Sequence, residues 1–183
     1  MPTVDFVTEL LPHLKAVEVE QVSSEGRWVR VRARVAADEA ACPDCGAGSR
    51  RVHSRYRRRL LDFTVGGRPT VLELRVRRFF CDQPGCGRKT FAEQVAGLTR
   101  RYARHSSGAR GQLQEVAVAL GGRAGERLGG RLALPTGHST LLRWLRALLL
   151  PISAVPQVLG VDDFALRRGH VYATIPPPWV QAN

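Results

Sequence analysis

Four cysteines occur in this chain, spaced as Cys42-Pro-Asp-Cys45 and Cys81-x4-Cys86. Two close pairs of thiolates suit one tetrahedral Zn²⁺, because each short turn presents two sulfurs and an intervening hairpin can bring the turns together. CPDCG and CDQPGCG both carry the proline and glycine that such turns require. Four thiolates complete the coordination shell and leave no open position for water, so the expected zinc is structural. A reactive dithiol is the competing reading. A redox CxxC usually opens a helix after a strand, whereas CPDCGAGSR runs into Gly and Ser. His53 lies near a knuckle as a spare donor, but four cysteines already fill the site, and a surface histidine in a basic strand is expected.

Two further groups could do chemistry. The first is cationic: the 183 residues carry a formal net charge of +12, and the lysines are Lys15 and Lys89 alone. Residues 50–104 hold 15 basic and 4 acidic side chains, against 5 and 8 in residues 1–49 and 8 and 4 in residues 105–183. A polyanion such as double-stranded DNA is the implied partner, with the phosphate-binding surface centred on the middle third. Within RRVHSRYRRR and RVRRFFCDQPGCGRK the candidates for phosphate contact are Arg55, Arg57, Arg58, Arg59, Arg75, Arg77, Arg78, Arg88 and Lys89. Phe79 and Phe80 are expected in the ribbon core rather than stacked on bases. The second group is acidic: VLGVDDFALRRGHVYAT, residues 158–174, sets Asp162 and Asp163 at the end of an apolar strand.

The elements that must position these groups are legible from periodicity. DFVTELLPHL reads as a short amphipathic helix with Phe6, Leu10 and Leu14 on one side. AVEVEQV and RWVRVRARV alternate and are joined by SSEG, predicting a β-hairpin with Val29, Val31, Ala33 and Val35 inward and Arg30, Arg32 and Arg34 outward. A second pair of strands turns around GGRPT and returns through VLELRVRRFF. From about residue 108 the period approaches four. GARGQLQEVAVAL forms a helix with Leu113, Val116, Ala117 and Leu120 on one face. GGRAGERLGGRLAL is a weaker one through Ala124, Leu128 and Leu132, its glycines lowering helicity. LPTGH breaks the chain before STLLRWLRALLL, whose core face is Leu141, Leu142, Leu145 and Leu148. The pair reads as a helix-turn-helix in which Ser139, Thr140, Arg143 and Arg146 would meet a DNA groove.

The N-terminus lacks the basic region of a secretory signal, and ALLLPISAVP is too short to span a membrane, so a cytoplasmic, reducing location is expected. Such a location favours metal-bound thiolates over disulfides.

In order, CPDCG followed by RVHSRYRRRLLD, GGRPTVLELRVRRFFC, TLLRWLR after a Pro-containing turn, and VLGVDDFALRRGHVYAT resemble the ISL-three family of bacterial insertion-sequence transposases. The resemblance covers roughly residues 5–174. It implies an α+β chain: a β-rich zinc ribbon, an all-α helix-turn-helix, and an incomplete two-strand remnant of an RNase H-like, DDE-type catalytic domain. The corresponding divisions are 1–40 for the helix and first hairpin, 41–92 for the ribbon with zinc on Cys42, Cys45, Cys81 and Cys86, and 93–150 for the helix-turn-helix. A linker spans 151–157, and 158–183 begins the catalytic domain. By the same resemblance Asp162 matches the first metal-binding aspartate, and Mg²⁺ belongs only to the full-length family member. Gly137 and His138 depart from the family at the start of the recognition helix. After YATI the chain turns to Pro-Pro-Pro, which cannot continue a sheet ladder, so a truncated, catalytically inactive product is expected. It would bind transposon ends and associate with itself or with full-length transposase. The alternatives are a free-standing transcriptional regulator and a protein-interaction module.

Overall fold

The computed structural model describes residues 3–148, 162–165 and 172–175. The chain divides into two units, residues 1–146 and 147–183.

The first unit opens with α1 (Thr3–Leu10) and a 3-10 turn (Pro12–Leu14). Pro12 lacks the amide a continuing helix needs and starts the tighter turn instead. The expected single stripe therefore breaks: Leu14 is fully buried while Leu10 is exposed, and Val7 and Leu11 make the core contact. Strands β1 (Val17–Glu25) and β2 (Trp28–Val35) form the predicted hairpin. SSE is part of β1, and the turn is tighter than SSEG, since Glu25 pairs with Trp28 across Gly26-Arg27. Short strands β3 (Ala40–Ala41) and β4 (Gly48–Ser49) then frame the first cysteine pair.

The second hairpin is longer than the alternation of VLELRVRRFF alone suggests. Strands β5 (Val52–Val65) and β6 (Arg68–Phe80) meet at Gly66-Gly67, both with positive φ, as a two-residue turn between twisted strands requires. Strand β7 (Thr90–Ala92) pairs with the end of β6. The sheet order is β1-β2-β6-β5, and β2 runs parallel to β6. That pairing joins the first hairpin to the second across residue 40. Alternate residues of both hairpins, among them Val29, Val31, Ala33, Leu60, Leu72, Leu74 and Val76, close one core with Leu14, Val95 and Leu98.

Helix α2 (Ser107–Arg131) carries a break at Gly121 (φ 69°, ψ −159°), which separates the two helical stretches read from the sequence. Helix α3 (His138–Arg146) follows. Ala109, Leu113, Ala117, Leu134, Leu141 and Trp144 form the core between them. Trp144 replaces Leu148 on the buried face, because nine helical residues end before Leu148, which is exposed. Leu120 is also exposed, lying beside the kink. In the second stretch of α2 the buried face is glycine: Gly125 and Gly129 lie inside, where a Cβ would stand 3.0 Å from Leu141 Cδ1 and from the Leu134 carbonyl oxygen respectively. Those glycines lower intrinsic helicity, yet they permit the close approach of α3.

In the second unit, β8 (Asp162–Ala165) and β9 (Tyr172–Ile175) pair antiparallel, Asp162 opposite Ile175. The linker expected at 151–157 lies outside the described residues.

Candidate metal centre and nucleic-acid interface

The four cysteines come from two turns far apart in sequence. The first knuckle hangs between β3 and β4, where the Cys42 carbonyl accepts from the Gly46 amide and Gly46 takes a positive φ of 75°. The second leaves the end of β6 and returns as β7, with the Cys81 amide bonded to the Lys89 carbonyl. All four sulfurs lie within 4.8 Å of one another, and Cys45 Sγ is 3.6 Å from Cys81 Sγ. A disulfide would need about 2.05 Å. Four thiolates at about 2.3 Å around a tetrahedral zinc are about 3.8 Å apart, so the cluster has the dimensions of a Zn²⁺ site.

The thiols also compete for protons. Cys42 is lowered to about 7: burial opposes ionisation, but hydrogen bonds from the Cys45 and Asp44 amides outweigh it. Cys81 is pushed up to about 12: the Gln83 amide favours the thiolate, but burial and the Cys45, Cys86 and Cys42 sulfurs prevail. A single divalent cation relieves that competition by ligating every sulfur as thiolate. Beneath the cluster, Cys42 packs on Phe79 and Phe91, whose rings stack at 6.0 Å. Phe79 is thus core, as expected, while Phe80 is half-buried under the Arg51 guanidinium at 4.3 Å. His53 is exposed, bonded to Ser54 Oγ at 3.0 Å, and stands apart from the ligand set.

The basic block divides between the two faces of the sheet. Side chains alternate along a strand, so Arg55, Arg57, Arg59, Arg75 and Arg77 lie opposite the main core, and Arg58 and Arg78 lie on the other side. Several of these cations are held by carboxylates that the sequence places elsewhere. Glu73, almost fully buried, accepts from Arg59 Nε at 2.8 Å, Arg30 Nη1 at 3.2 Å and Arg32 Nε at 3.3 Å. Register explains this convergence, since Glu73 pairs with Arg32 on β2 and with Arg59 on β5. Its carboxyl lies below the ordinary range: burial would raise it, but the Arg32 and Arg59 hydrogen bonds and the Arg30 charge dominate. Arg75 pairs with Glu20 at 2.7 Å, and Arg88 with Asp44 at 2.6 Å. Arg77, only 18% exposed, grips Glu93 at 2.8 Å and the Ala37 carbonyl. Arg58 donates to Gln94 Oε1 and to the Arg100 and Ala103 carbonyls. Arg55, Arg57, Arg78 and Lys89 remain exposed, with no ion pair among the described residues.

Sequence reading overlooked TRRYARH, residues 99–105, which joins the sheet to α2. Its signal was present as three arginines in five residues. Arg100, Arg101, Tyr102 and Arg104 are exposed, Tyr102 at 82% and with a positive φ of 59°. They line a cavity of about 650 Å³ together with His105, Arg110, Thr140, Arg143 and Trp144. A neighbouring cavity of about 410 Å³ shares Arg101 and Tyr102 and reaches Tyr56, Arg78 and Arg88. On α3, Ser139, Arg143 and Arg146 are exposed and Thr140 is half-buried, opposite buried Leu141 and Trp144. His138 Nδ1 bonds Glu126 Oε2 at 3.1 Å, tying the start of α3 to α2. Asp162 heads β8; its side chain lies outside the described set.

Comparison with known proteins places these features. Residues 38–83 match the zinc-finger of transposase IS204/IS1001/IS1096/IS1165. The match takes in three cysteines, and the structure supplies the fourth, Cys86, from the same turn. Over 157 residues the chain is 29% identical to the transposase for insertion sequence element IS1001 of Bordetella parapertussis, covering 86% of this chain and 38% of that protein. The chain therefore spans well under half the length of the curated relative it matches. No solved structure matches it. Residues 38–83, whose three cysteines close with Cys86 into one four-sulfur cluster, are thus similar to the zinc-finger of those insertion-sequence transposases.

Proposed function

We propose that these 183 residues are the DNA-binding portion of an insertion-sequence transposase, with the terminal inverted repeats of its element as the preferred duplex. In this reading the second stretch of α2 and α3 act as a helix-turn-helix. Helix α3 enters the major groove, with Ser139 and Thr140 near its N-terminus and Arg143 and Arg146 along the same exposed side. The observation that carries the reading is the separation on α3 between buried Leu141 and Trp144 and a solvent face holding two arginines with no ion pair among the described residues. Arg55, Arg57, Arg78 and Lys89 add phosphate contacts, while Arg58, Arg59, Arg75, Arg77 and Arg88 chiefly hold the sheet and knuckles.

Zinc acts from a distance in this scheme. It locks the two knuckles, which fix the end of β6 and β7, and the chain leaving β7 carries the 99–105 turn into α2. When bound, the metal supplies cross-linking and charge neutralisation, and no open coordination position for catalysis.

Asp162 is proposed, on the family resemblance, as the first of a metal-binding carboxylate set. Residues 164–183 contain no Asp or Glu, so further carboxylates of such a set are not among them, and DNA binding is the activity assigned to these 183 residues. Gel-shift titration of the zinc-loaded chain tests the proposal. Retention of a terminal-repeat duplex, weakening steeply with salt, is expected; no retention of terminal-repeat or random duplexes at low salt would sink it. Footprinting that protects an internal promoter and leaves the ends bare would instead make the chain a regulator.

A further inference from the structure

The 650 Å³ cavity between the 99–105 turn and α3 gathers positive charge that no carboxylate among the described residues offsets. Arg100, Arg101, Arg104, Arg110 and Arg143 all line it, and among the described residues no carboxylate does. Arg110 is the most constrained of them. Its guanidinium lies 5.4 Å from the centre of the Trp144 ring, and its Nε is buried without a hydrogen-bond partner among the described residues. The adjacent His105 ring stands edge-on to Trp144 at 5.1 Å. Unsatisfied buried polar nitrogens are rare in folded proteins, because each forfeits the hydrogen bonds it made in water. The Arg110 Nε–H is a donor left without an acceptor, and together with the cluster of arginines around it calls for an acceptor-rich anion. Burial and the charges of Arg100 and Arg143 also make it harder for Arg110 to stay protonated, a strain that an anion would remove.

We propose that this cavity is the seat of one DNA-backbone phosphodiester, clamped between the turn and α3. Arg110 and Arg143 hold its oxygens from the helices, Arg100 and Arg104 from the turn, and Thr140 donates from the first turn of α3. A phosphate with its flanking deoxyribose atoms fits within the 650 Å³. Gripping a phosphate beside the first turn of α3 would set the register of that helix on the duplex, since phosphate contacts position a protein while base contacts specify its site. The seat rests on the DNA-binding reading and adds to it a clamp built from residues outside the β5–β6 arginine block.

The test measures the salt dependence of duplex binding by fluorescence anisotropy for the zinc-loaded wild-type chain and for Arg104→Gln, Arg110→Gln and, as a remote control, Lys15→Gln. Each lost phosphate contact lowers the slope of log K against log salt by roughly 0.9, about an eightfold affinity loss at 0.1 M salt. Arg104→Gln and Arg110→Gln should each show that change and Lys15→Gln should not. Arg104 is exposed, so its variant reports even if Arg110→Gln fails to fold. Slopes equal to wild type in both pocket variants would overturn the seat while leaving DNA binding intact. Absence of salt-sensitive binding by the wild-type chain would instead overturn the DNA-binding reading. A calorimetric titration with inorganic phosphate separates the sources of the anion. Weak, millimolar binding is expected of a seat built for an anchored phosphodiester. Submillimolar binding of free phosphate together with unchanged DNA slopes would reassign the pocket to a free anion.

Discussion

Ser106 and Asp62 fasten the sheet to the helices. The Ser106 hydroxyl donates to Asp62 Oδ1 at 2.5 Å and accepts from the Ala109 amide at 3.2 Å as the N-cap of α2. Asp62, on β5 and buried to 2% exposure, also bonds His13 Nε2 at 2.8 Å. Backbone bonds between Leu61 and both Arg104 and Ser106 run alongside. Ser106→Ala removes the cap and leaves a buried carboxylate oxygen short of a donor. A loss of about 2 kcal/mol in urea unfolding is expected, and a loss below 0.5 kcal/mol would show that the joint is not structural.

The cysteine cluster makes zinc a condition of packing rather than of activity. Stripping the metal with a strong chelator should release Phe79 and Phe91, which pack on Cys42, and so abolish near-ultraviolet circular dichroism from that region. Cys86→Ser should bind less zinc and lose thermal stability even at saturating metal. One zinc per chain, measured by a chromogenic chelator, is the expected stoichiometry.

Glu73 predicts an acid limit. Its carboxyl titrates lower in the folded chain than in the unfolded one, whose value is about 4.3. The stabilisation is therefore complete above pH of about 4.3 and disappears as pH falls through the folded value. Glu73→Gln should be less stable than wild type at pH 7, and the difference should shrink toward pH 3 in denaturant titrations.

His105 works in the opposite half of the scale. Burial, then the Arg110 charge, depress its pKa against the favourable bond to the Pro135 carbonyl. A base depressed in the folded state binds fewer protons than in the unfolded state, so stability falls as pH drops below about 6.5. Comparing His105→Gln with wild type at pH 7.5 and 5.5 should show a smaller acid penalty in the variant.

Two glycines of α2 should respond with opposite signs. Gly111 faces open space, and Gly111→Ala should stabilise the helix by about 0.5–1 kcal/mol. At Gly129 the new methyl would stand 3.0 Å from the Leu134 carbonyl, whose own amide bonds back to Gly129. Gly129→Ala should therefore destabilise, and thermal melts of the two variants decide.

What could be read along the chain was whatever depends on near neighbours. The paired cysteines with their Pro and Gly, the two hairpins with period two, the change to period four near residue 108 and the charge of the middle third are all local signals. The four ligands, the inward valines of β2 and the two stretches of α2 followed from them. The roles of individual arginines did not. Arg59 and Arg77 look as available in sequence as Arg57, and only the partners Glu73 and Glu93, brought beside them by β-pairing, distinguish them. The parallel pairing of β2 with β6 leaves no periodic trace, because either edge of a hairpin offers the same backbone groups. Trp144 and the α2 glycines were misjudged for a related reason: helix amphipathicity predicts which face is covered, but not that bare backbone will do the covering. Composition and spacing determined that this protein gathers a metal and carries an arginine surface. The tertiary structure decided which cations are spent on carboxylates and which converge around Arg110 with no carboxylate among the described residues, because charge neutralisation depends on contacts between segments that only the fold brings together.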